Sequence, residues 1–336
     1  MIQEAIRIVS EGKNLTSEEM SAVMRQIMTG AIETPLIVDF LIAFNKKGET
    51  IEELTAAVSV MRSFVTRIKT NRKPVLDTCG TGGDRKGTFN ISTTVAFVAS
   101  GCGIAVAKHG NRSVSSCCGS ADILEALGVN INREPKNLED CLNGAGIAFL
   151  FAPNLHPAMK YAMPARKQIG TKTIFNILGP LTNPAGATHQ LIGVYDSRWT
   201  PIMAQVLANL GSVHAMVVHG EDGLDEITAT TETSISEVHQ GRVKNYQMTA
   251  QELGIKGARL EDLAGGDAAC NARILLDVLK GKHGPQRDIV VLNAAAAVYV
   301  ADKTPSIKEG IALAQESIDS GKALEKLELL RQMSKK

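Results

Sequence analysis

Little in this sequence is extreme. Aromatic residues make up only 4% of its 336 positions, with one tryptophan, so its cores must rest on aliphatic and methionine side chains. Neither sign of charge prevails: 36 Lys+Arg stand against 35 Asp+Glu, a net charge of +1. That balance gives no global attraction to nucleic acid or to an anionic membrane, and any anion binding must be local. Cysteine is sparse. Cys79, Cys102, Cys117, Cys118, Cys141 and Cys270 form no CxxC pair, so there is no zinc or thioredoxin signature. Such low density reads as reduced thiols in a cytoplasmic protein, with the vicinal Cys117-Cys118 pair assigned to packing. Long apolar runs are missing too. The longest charge-free stretch, about Thr88 to Ala107, contains Asn90, Ser92, Thr93, Thr94 and Ser100. A membrane span needs ~20 predominantly apolar residues, so none is expected. The first residues, MIQEAIRIVSEG, lack the order of a signal peptide.

What is present is an ordinary globular composition, 44% hydrophobic and 21% charged, long enough for two domains. Residues 1 to about 70 read as four short helices. Thr16 with Glu19 and Thr50 with Glu53 have capping-box spacing. Thr34-Pro35 places a cap before an N1 proline, and Gly48 is a stop. From Leu54, the apolar positions Val58, Met61, Val65 and Ile68 keep helical spacing. A bundle this small must pack against something else. Beyond Pro74 the pattern changes to short β-rich runs: Val75–Thr78, Ile104–Ala107, Ile147–Phe151, Leu191–Tyr195 and Ala215–His219. Helical stretches at Asn90–Ser100, Ala121–Leu127, Pro201–Leu210 and Asp288–Ala301 lie between or after them. This alternation predicts an α/β domain with a mostly parallel sheet, and Thr230–Tyr246 looks antiparallel. The expected division is a helical domain at 1–72 and an α/β domain at 73–336.

Ligands of such sheets bind at the carboxyl ends of the strands, and unusual segments follow these runs. Gly80-Thr81-Gly82-Gly83-Asp84 leads through Thr88 to Asn90-Ile91-Ser92-Thr93, which open a helix. Glycines allow close backbone approach, and a helix N-terminus offers free N–H groups to an anion. The segment matches neither Walker A nor GxGxxG, and a tight strand-to-helix turn would use glycines as well. Next, Lys108-His109-Gly110-Asn111-Arg112-Ser113-Val114-Ser115-Ser116 sets two cations among polar donors, suited to phosphate or diphosphate; a solvated basic loop is the alternative. Ser120 reads as the cap of the following helix. In Gly220-Glu221-Asp222-Gly223-Leu224-Asp225-Glu226, adjacent carboxylates can hold Mg²⁺, and an acidic surface turn reads equally well. Arg166 becomes significant only if a substrate carries a carboxylate. His156, His189, His214, His239 and His283 show no metal-ligand spacing and read as surface or satisfied structural residues.

These motifs, in this order, resemble the anthranilate phosphoribosyltransferase family of tryptophan biosynthesis. The resemblance rests on GTGGD at Gly80–Asp84, NIST at Asn90–Thr93, KHGNR at Lys108–Arg112, Arg166, the Asp225-Glu226 pair and FNILGPLTNP at Phe175–Pro184. It runs over almost the whole chain. It implies transfer of a phosphoribosyl group from 5-phosphoribosyl diphosphate to the amine of anthranilate. By that pattern Gly80, Gly83, Asp84, Thr88, Asn90, Ile91, Ser92 and Thr93 contact the phosphoribosyl diphosphate, as do the Lys108–Ser116 segment and Ser120. Ser92, Asp225 and Glu226 hold two Mg²⁺ ions, and Lys108, Asp225 and Glu226 act on the leaving diphosphate. Asn111 and Arg166, with Gly80, contact anthranilate. The resemblance also implies a homodimer joined through the helical domain, with the segment near 170–185 returning to that domain. A pyrimidine-nucleoside phosphorylase of the same fold is the nearest alternative. A non-catalytic nucleic-acid-binding paralogue is the other.

Overall fold

The computed structural model describes residues 1–112 and 118–335. Four helices come first: α1 (Ile2–Ser10), α2 (Ser17–Met28), α3 (Thr34–Lys47) and α4 (Ile51–Ser63). Both capping boxes form, with the Glu19 and Glu53 carboxylates accepting from the Thr16 and Thr50 backbone N–H groups. Two details differ from the sequence reading. The residue capping α3 is Glu33, so Thr34 is already helical and its side chain caps nothing. Helix α4 stops at Ser63 although the apolar spacing continues to Ile68. There the Thr66 N–H turns to the Leu155 carbonyl and the Ile68 N–H to the Pro184 carbonyl; these tertiary bonds replace the helical ones.

The remainder is a seven-stranded sheet in the order β3-β2-β1-β4-β5-β6-β7. Its strands are β1 (Val75–Asp77), β2 (Ala105–Gly110), β3 (Ile147–Phe151), β4 (His189–Gly193), β5 (His214–Gly220), β6 (Glu232–His239) and β7 (Arg242–Thr249). The first five in sequence are parallel and the last two antiparallel. Gln240 and Gly241, both at positive φ, make the two-residue turn between β6 and β7, as twisted hairpins require. The helices between and after the strands are α5 (Ile91–Gly101), α6 (Ser120–Ala126), α7 (Pro135–Gly144), α8 (Ala152–Leu155), α9 (Met159–Ile169), α10 (Ile174–Leu178), α11 (Trp199–Asn209), α12 (Ala268–Leu279), α13 (Pro285–Val300), α14 (Ile307–Asp319) and α15 (Lys322–Met333).

One apolar core lies between a face of the sheet and α5, α13, α14 and α15. The run Ala294–Ala297 in α13 is fully buried there, because small side chains let packed helices approach closely. A second core joins α1–α4 to Ala162 and Ala165 of α9, Phe175 of α10, α11, and Ile192 and Val217 on the other sheet face. The N-terminal helices thus bury their apolar stripes against later parts of the chain. The segment after α10 faces both ways. The Leu181 carbonyl accepts from Arg62 Nε at 2.8 Å, and Asn183 reaches Asp77 on β1.

Candidate active site at the carboxyl ends of the parallel strands

Strand order reverses at β1, which has β2 on one side and β4 on the other. The carboxyl ends at such a switch point form a crevice. At its floor, Asp77 ends β1 and is fully buried. Its carboxylate accepts from the His109 N–H at 3.1 Å and from Asn183 Nδ2 at 2.7 Å. Burial pushes its pKa up to about 6, against the pull of nearby Lys108. Lys108 is itself buried, its Nζ donating to the Thr78 carbonyl at 2.9 Å and to Ser92 Oγ at 3.1 Å. Lys108, His109 and Gly110 are therefore the end of β2 and not a basic loop. The ladder fixes their alternation, so the Lys108 ammonium has one direction to point.

The glycine-rich turn after β1 lies on the end of β4. The Thr81 N–H donates to the Gly193 carbonyl at 2.9 Å, and Thr81 Oγ1 accepts from the Tyr195 N–H at 3.2 Å. A Cβ on Gly80 would meet the Gly193 carbonyl oxygen at 2.8 Å. The turn then runs to Thr88, which bridges to Ala264, and to α5. At the start of α5, Thr93 Oγ1 donates to Asn90 Oδ1 at 2.6 Å, and the Ser92 N–H donates to Glu226 Oε1 at 3.1 Å. A carboxylate there is favoured by the partial positive charge of the helix end.

Three carboxylates converge at this point. Asp225 is half-buried, with its carboxyl facing that of Asp84. Its pKa is raised by burial and by the Asp84 charge, and that of Glu226 by burial and by Asp225. One buried oxygen of Asp84, Oδ2, has no hydrogen-bond partner. Like charges packed with an unsatisfied oxygen are an arrangement completed by a hard cation, which takes oxygen ligands. The other two acids of the loop fold it instead: Asp222 accepts from the hydroxyls of Thr228 and Thr230, and Glu221 from Ser234.

Residues 72–324 match the family model described as the glycosyl transferase family, a/b domain, and residues 3–65 match its helical bundle domain. Anthranilate phosphoribosyltransferase of Alkaliphilus metalliredigens is 52% identical over 99% of this chain and 98% of its own length. The chain belongs to the anthranilate phosphoribosyltransferase family. The crystal structure of the Thermus thermophilus member superposes with a TM-score of 0.94 at 43% identity, covering 99% of each chain. The Saccharomyces cerevisiae member, in complex with PRPP and Mg, gives 0.90 at 27% identity over 99% of this chain and 98% of its own. Full-length likeness to enzymes of this one name decides against the nucleoside phosphorylase and the nucleic-acid-binding paralogue. The protein is a pentosyltransferase acting in tryptophan biosynthesis.

Other residues singled out from the sequence are placed as follows. Ser113, Val114, Ser115, Ser116 and Cys117 lie outside the described residues. Arg112 is exposed and pairs with Asp122 and Glu125 at 2.7 and 2.6 Å. Asn111 is exposed beside it. Ser120 does not cap α6: Gly119 is the cap residue, and its N–H donates to Asp122 at 2.9 Å. Ser120 instead begins the helix, with its Cβ beside Gly110 at the end of β2. Arg166 lies on α9 with its guanidinium 5.7 Å from the Phe175 ring centre. No acidic side chain among the described residues pairs with it.

Several participants carry no sequence signal of their own. His156 Nε2 is 3.0 Å from His109 Nε2. Burial holds both imidazoles neutral, His156 at about 4. Lys172 Nζ lies over the Tyr195 ring and donates to the Gly83 carbonyl at 3.1 Å. It ties the segment after α9 to the glycine turn. Gly193 passes so close to Asp225 that a Cβ would overlap the Asp225 carbonyl oxygen. Its φ is not in the left-handed region, so the requirement is for space alone. Gly193→Ala should displace the Asp225-Glu226 loop, lower Tm by at least the shift expected for ~1–3 kcal/mol of overpacking, and reduce kcat far more than it reduces stability. Thermal melts beside steady-state rates check this, and wild-type turnover in the variant would contradict it.

Proposed function

We propose that this crevice holds 5-phosphoribosyl diphosphate between the glycine turn, the start of α5 and Lys108, with anthranilate held by Arg166 and Asn111 beside Gly80. One observation carries the reading. Asp84, Asp225 and Glu226 converge at the N-terminus of α5, where the Lys108 ammonium also points. Acids alone would repel a diphosphate. Acids beside a cation and a helix N-terminus suit a metal-bound one.

In this reading Gly80, Gly83 and Thr88 let the backbone approach the phosphates, and Asn90, Ile91, Ser92 and Thr93 present the free end of α5. Ser92, Asp225 and Glu226, together with Asp84, would hold Mg²⁺. Their oxygens exceed what one octahedral ion that keeps several waters needs, which supports two ions per subunit. When bound, Mg²⁺ would offset the charge that builds on the departing diphosphate. Lys108 does the same from the floor of the crevice, its ammonium fixed by Thr78 and Ser92 before the reaction starts. The ribose gains positive character at C1 as the bond to diphosphate lengthens, and the amine nitrogen of anthranilate attacks there. A neutral arylamine is already nucleophilic. Arg166 therefore needs to orient the ring by its carboxylate, and no strong base is required. The buried, neutral His109–His156 pair is assigned no proton transfer.

The divisions at 1–72 and 73–336 are part of this reading, with the segment near 170–185 joining the first and substrates binding between them. So is a homodimer. Ile42 on α3 and Tyr161 and Met163 on the adjoining α9 are large apolar side chains left exposed, as an interface on the helical side would need. An obligate interface of this kind covers more than ~1,000 Å² in total. Sedimentation at micromolar protein should give twice the chain mass, and a monomer alone would exclude it. Cytoplasmic location fits Cys79, Cys102, Cys141 and Cys270, which form no disulfide, and no helix among the described residues is long and apolar enough to cross a membrane. The reaction itself is tested by anthranilate fluorescence. Its loss should need both 5-phosphoribosyl diphosphate and Mg²⁺; loss without either would refute the assignment.

A further inference from the structure

Three histidines remote in sequence stand in a row at the other end of the sheet. His189 opens β4, His214 opens β5 and His239 closes β6. The ladder pairs His189 with His214 and His214 with His239. Directly paired residues share a face. The His214 and His239 rings stack, 4.4 Å between centres. Asp302, just beyond α13, closes the row. Its Oδ1 is 2.7 Å from His214 Nδ1 and its Oδ2 is 3.2 Å from His189 Nε2. Asp302 has φ of 55°, uncommon for a residue with a side chain, so its surroundings hold the carboxylate there.

We propose that His214, His239 and Asp302 form a Zn²⁺ site separate from the substrate crevice. Their donor atoms lie within 4.8 Å of one another. Donors around a tetrahedral zinc, at bonds of ~2.0–2.2 Å, are a little over ~3 Å apart, so small rotations of the exposed His239 and Asp302 side chains complete the set. Water takes the fourth position. The orienting partners are already built. His214 Nε2 is 3.0 Å from Glu237 Oε1, which leaves Nδ1 facing Asp302. Glu237 accepts from Tyr299 at 2.7 Å and from Tyr246 at 2.8 Å. A carboxylate behind a ligating imidazole fixes its orientation and raises its basicity. His189 steadies the second oxygen of Asp302, with Thr188 Oγ1 at 2.9 Å from its other nitrogen. On binding, the proton between His214 Nδ1 and Asp302 passes to solvent, and the proton on Nε2 stays with Glu237. Two imidazoles and one carboxylate favour a borderline-soft ion over Mg²⁺. The ion ties the end of α13 to β5 and β6. Further along α13, Asn293 holds the backbone of Ile227 beside the acidic loop.

The test is equilibrium dialysis of the full chain against Zn²⁺ with Mg²⁺ in large excess to occupy the crevice, followed by elemental analysis. Wild type should retain about one zinc per chain, and Zn²⁺ should raise its Tm. His239→Ala and Asp302→Asn should each weaken retention at least about tenfold and remove the Tm shift, with transferase rates unchanged. His239 is exposed, so its replacement is not expected to disturb folding and carries the test even if Asp302→Asn does. Wild type retaining no more zinc than His239→Ala would overturn the proposal and leave the row a purely ionic contact. Equal retention in wild type and both variants would overturn it as well.

Discussion

Changing Asp225 and Glu226 together to alanine should lower kcat by about a thousandfold or more at ordinary Mg²⁺ while the chain still folds. Loss of one preorganised group that stabilises developing charge costs ~10²–10³ in rate, and here two acids proposed to hold Mg²⁺ go at once. The stability of the metal-free protein should move the other way. Asp84, Asp225 and Glu226 repel one another, and burial with this repulsion raises the pKa values of Asp225 and Glu226. A raised carboxyl pKa adds stability that is complete below the unfolded value and is lost as pH climbs through the folded one. For Asp225 that window runs from 3.8 to about 7. Metal-free wild type should therefore lose Tm as pH rises through it. Asp225→Asn with Glu226→Gln keeps the shape and removes the charge, so its Tm should vary less with pH. Melts in chelator across this range, beside rates against Mg²⁺ concentration, check both. Unchanged activity with the same Mg²⁺ dependence would refute the assignment.

Arg166→Ala should raise the anthranilate KM by about tenfold to a hundredfold and leave the 5-phosphoribosyl diphosphate KM little changed. A hydrogen bond to a charged group is worth ~1.5–3 kcal/mol, which is that range. Among the described residues no carboxylate pairs with the guanidinium: its contacts are the sulfur of Met163 at 3.7 Å and, as a cation–π contact, the face of Phe175, which leaves its fork of N–H donors for a carboxylate. A planar fork matches the carboxylate of a flat ring better than an ammonium does, so Arg166→Lys should rescue only in part. Aniline lacks the carboxylate and should be a poor substrate that loses little further in the variant. A rise confined to the 5-phosphoribosyl diphosphate KM would move Arg166 to the phosphate side of the crevice.

Local patterns carried much of this protein in plain view. Capping boxes, helical spacing and a glycine turn followed by hydroxyls involve residues a few positions apart, whose contacts depend on backbone geometry alone. Thr16 with Glu19, the start of α5 and the five parallel strands could be read in that way. Family resemblance then supplied the reaction, which no local pattern contains. The partition of the acidic loop could not be read so. Glu221, Asp222, Asp225 and Glu226 are alike as residue types. Only the approach of Gly193 on β4 and Asp84 after β1 turns two of them into the crevice. Asp77, Lys172 and His156 likewise take their roles from strands and loops that meet after long crossovers.

The histidine row makes the same distinction most sharply. His189, His214 and His239 are evenly spaced but far apart in sequence, and a metal motif on one helix or loop would need them close together. The ladders of β4, β5 and β6 bring them into line, and the end of α13 adds Asp302. The sequence by itself determined most of which segments became strands, helices and glycine-rich turns, because those choices depend largely on neighbours along the chain. The tertiary structure alone decided which acids and imidazoles share a site, because parallel strands are paired through crossovers whose register no short stretch of residues encodes.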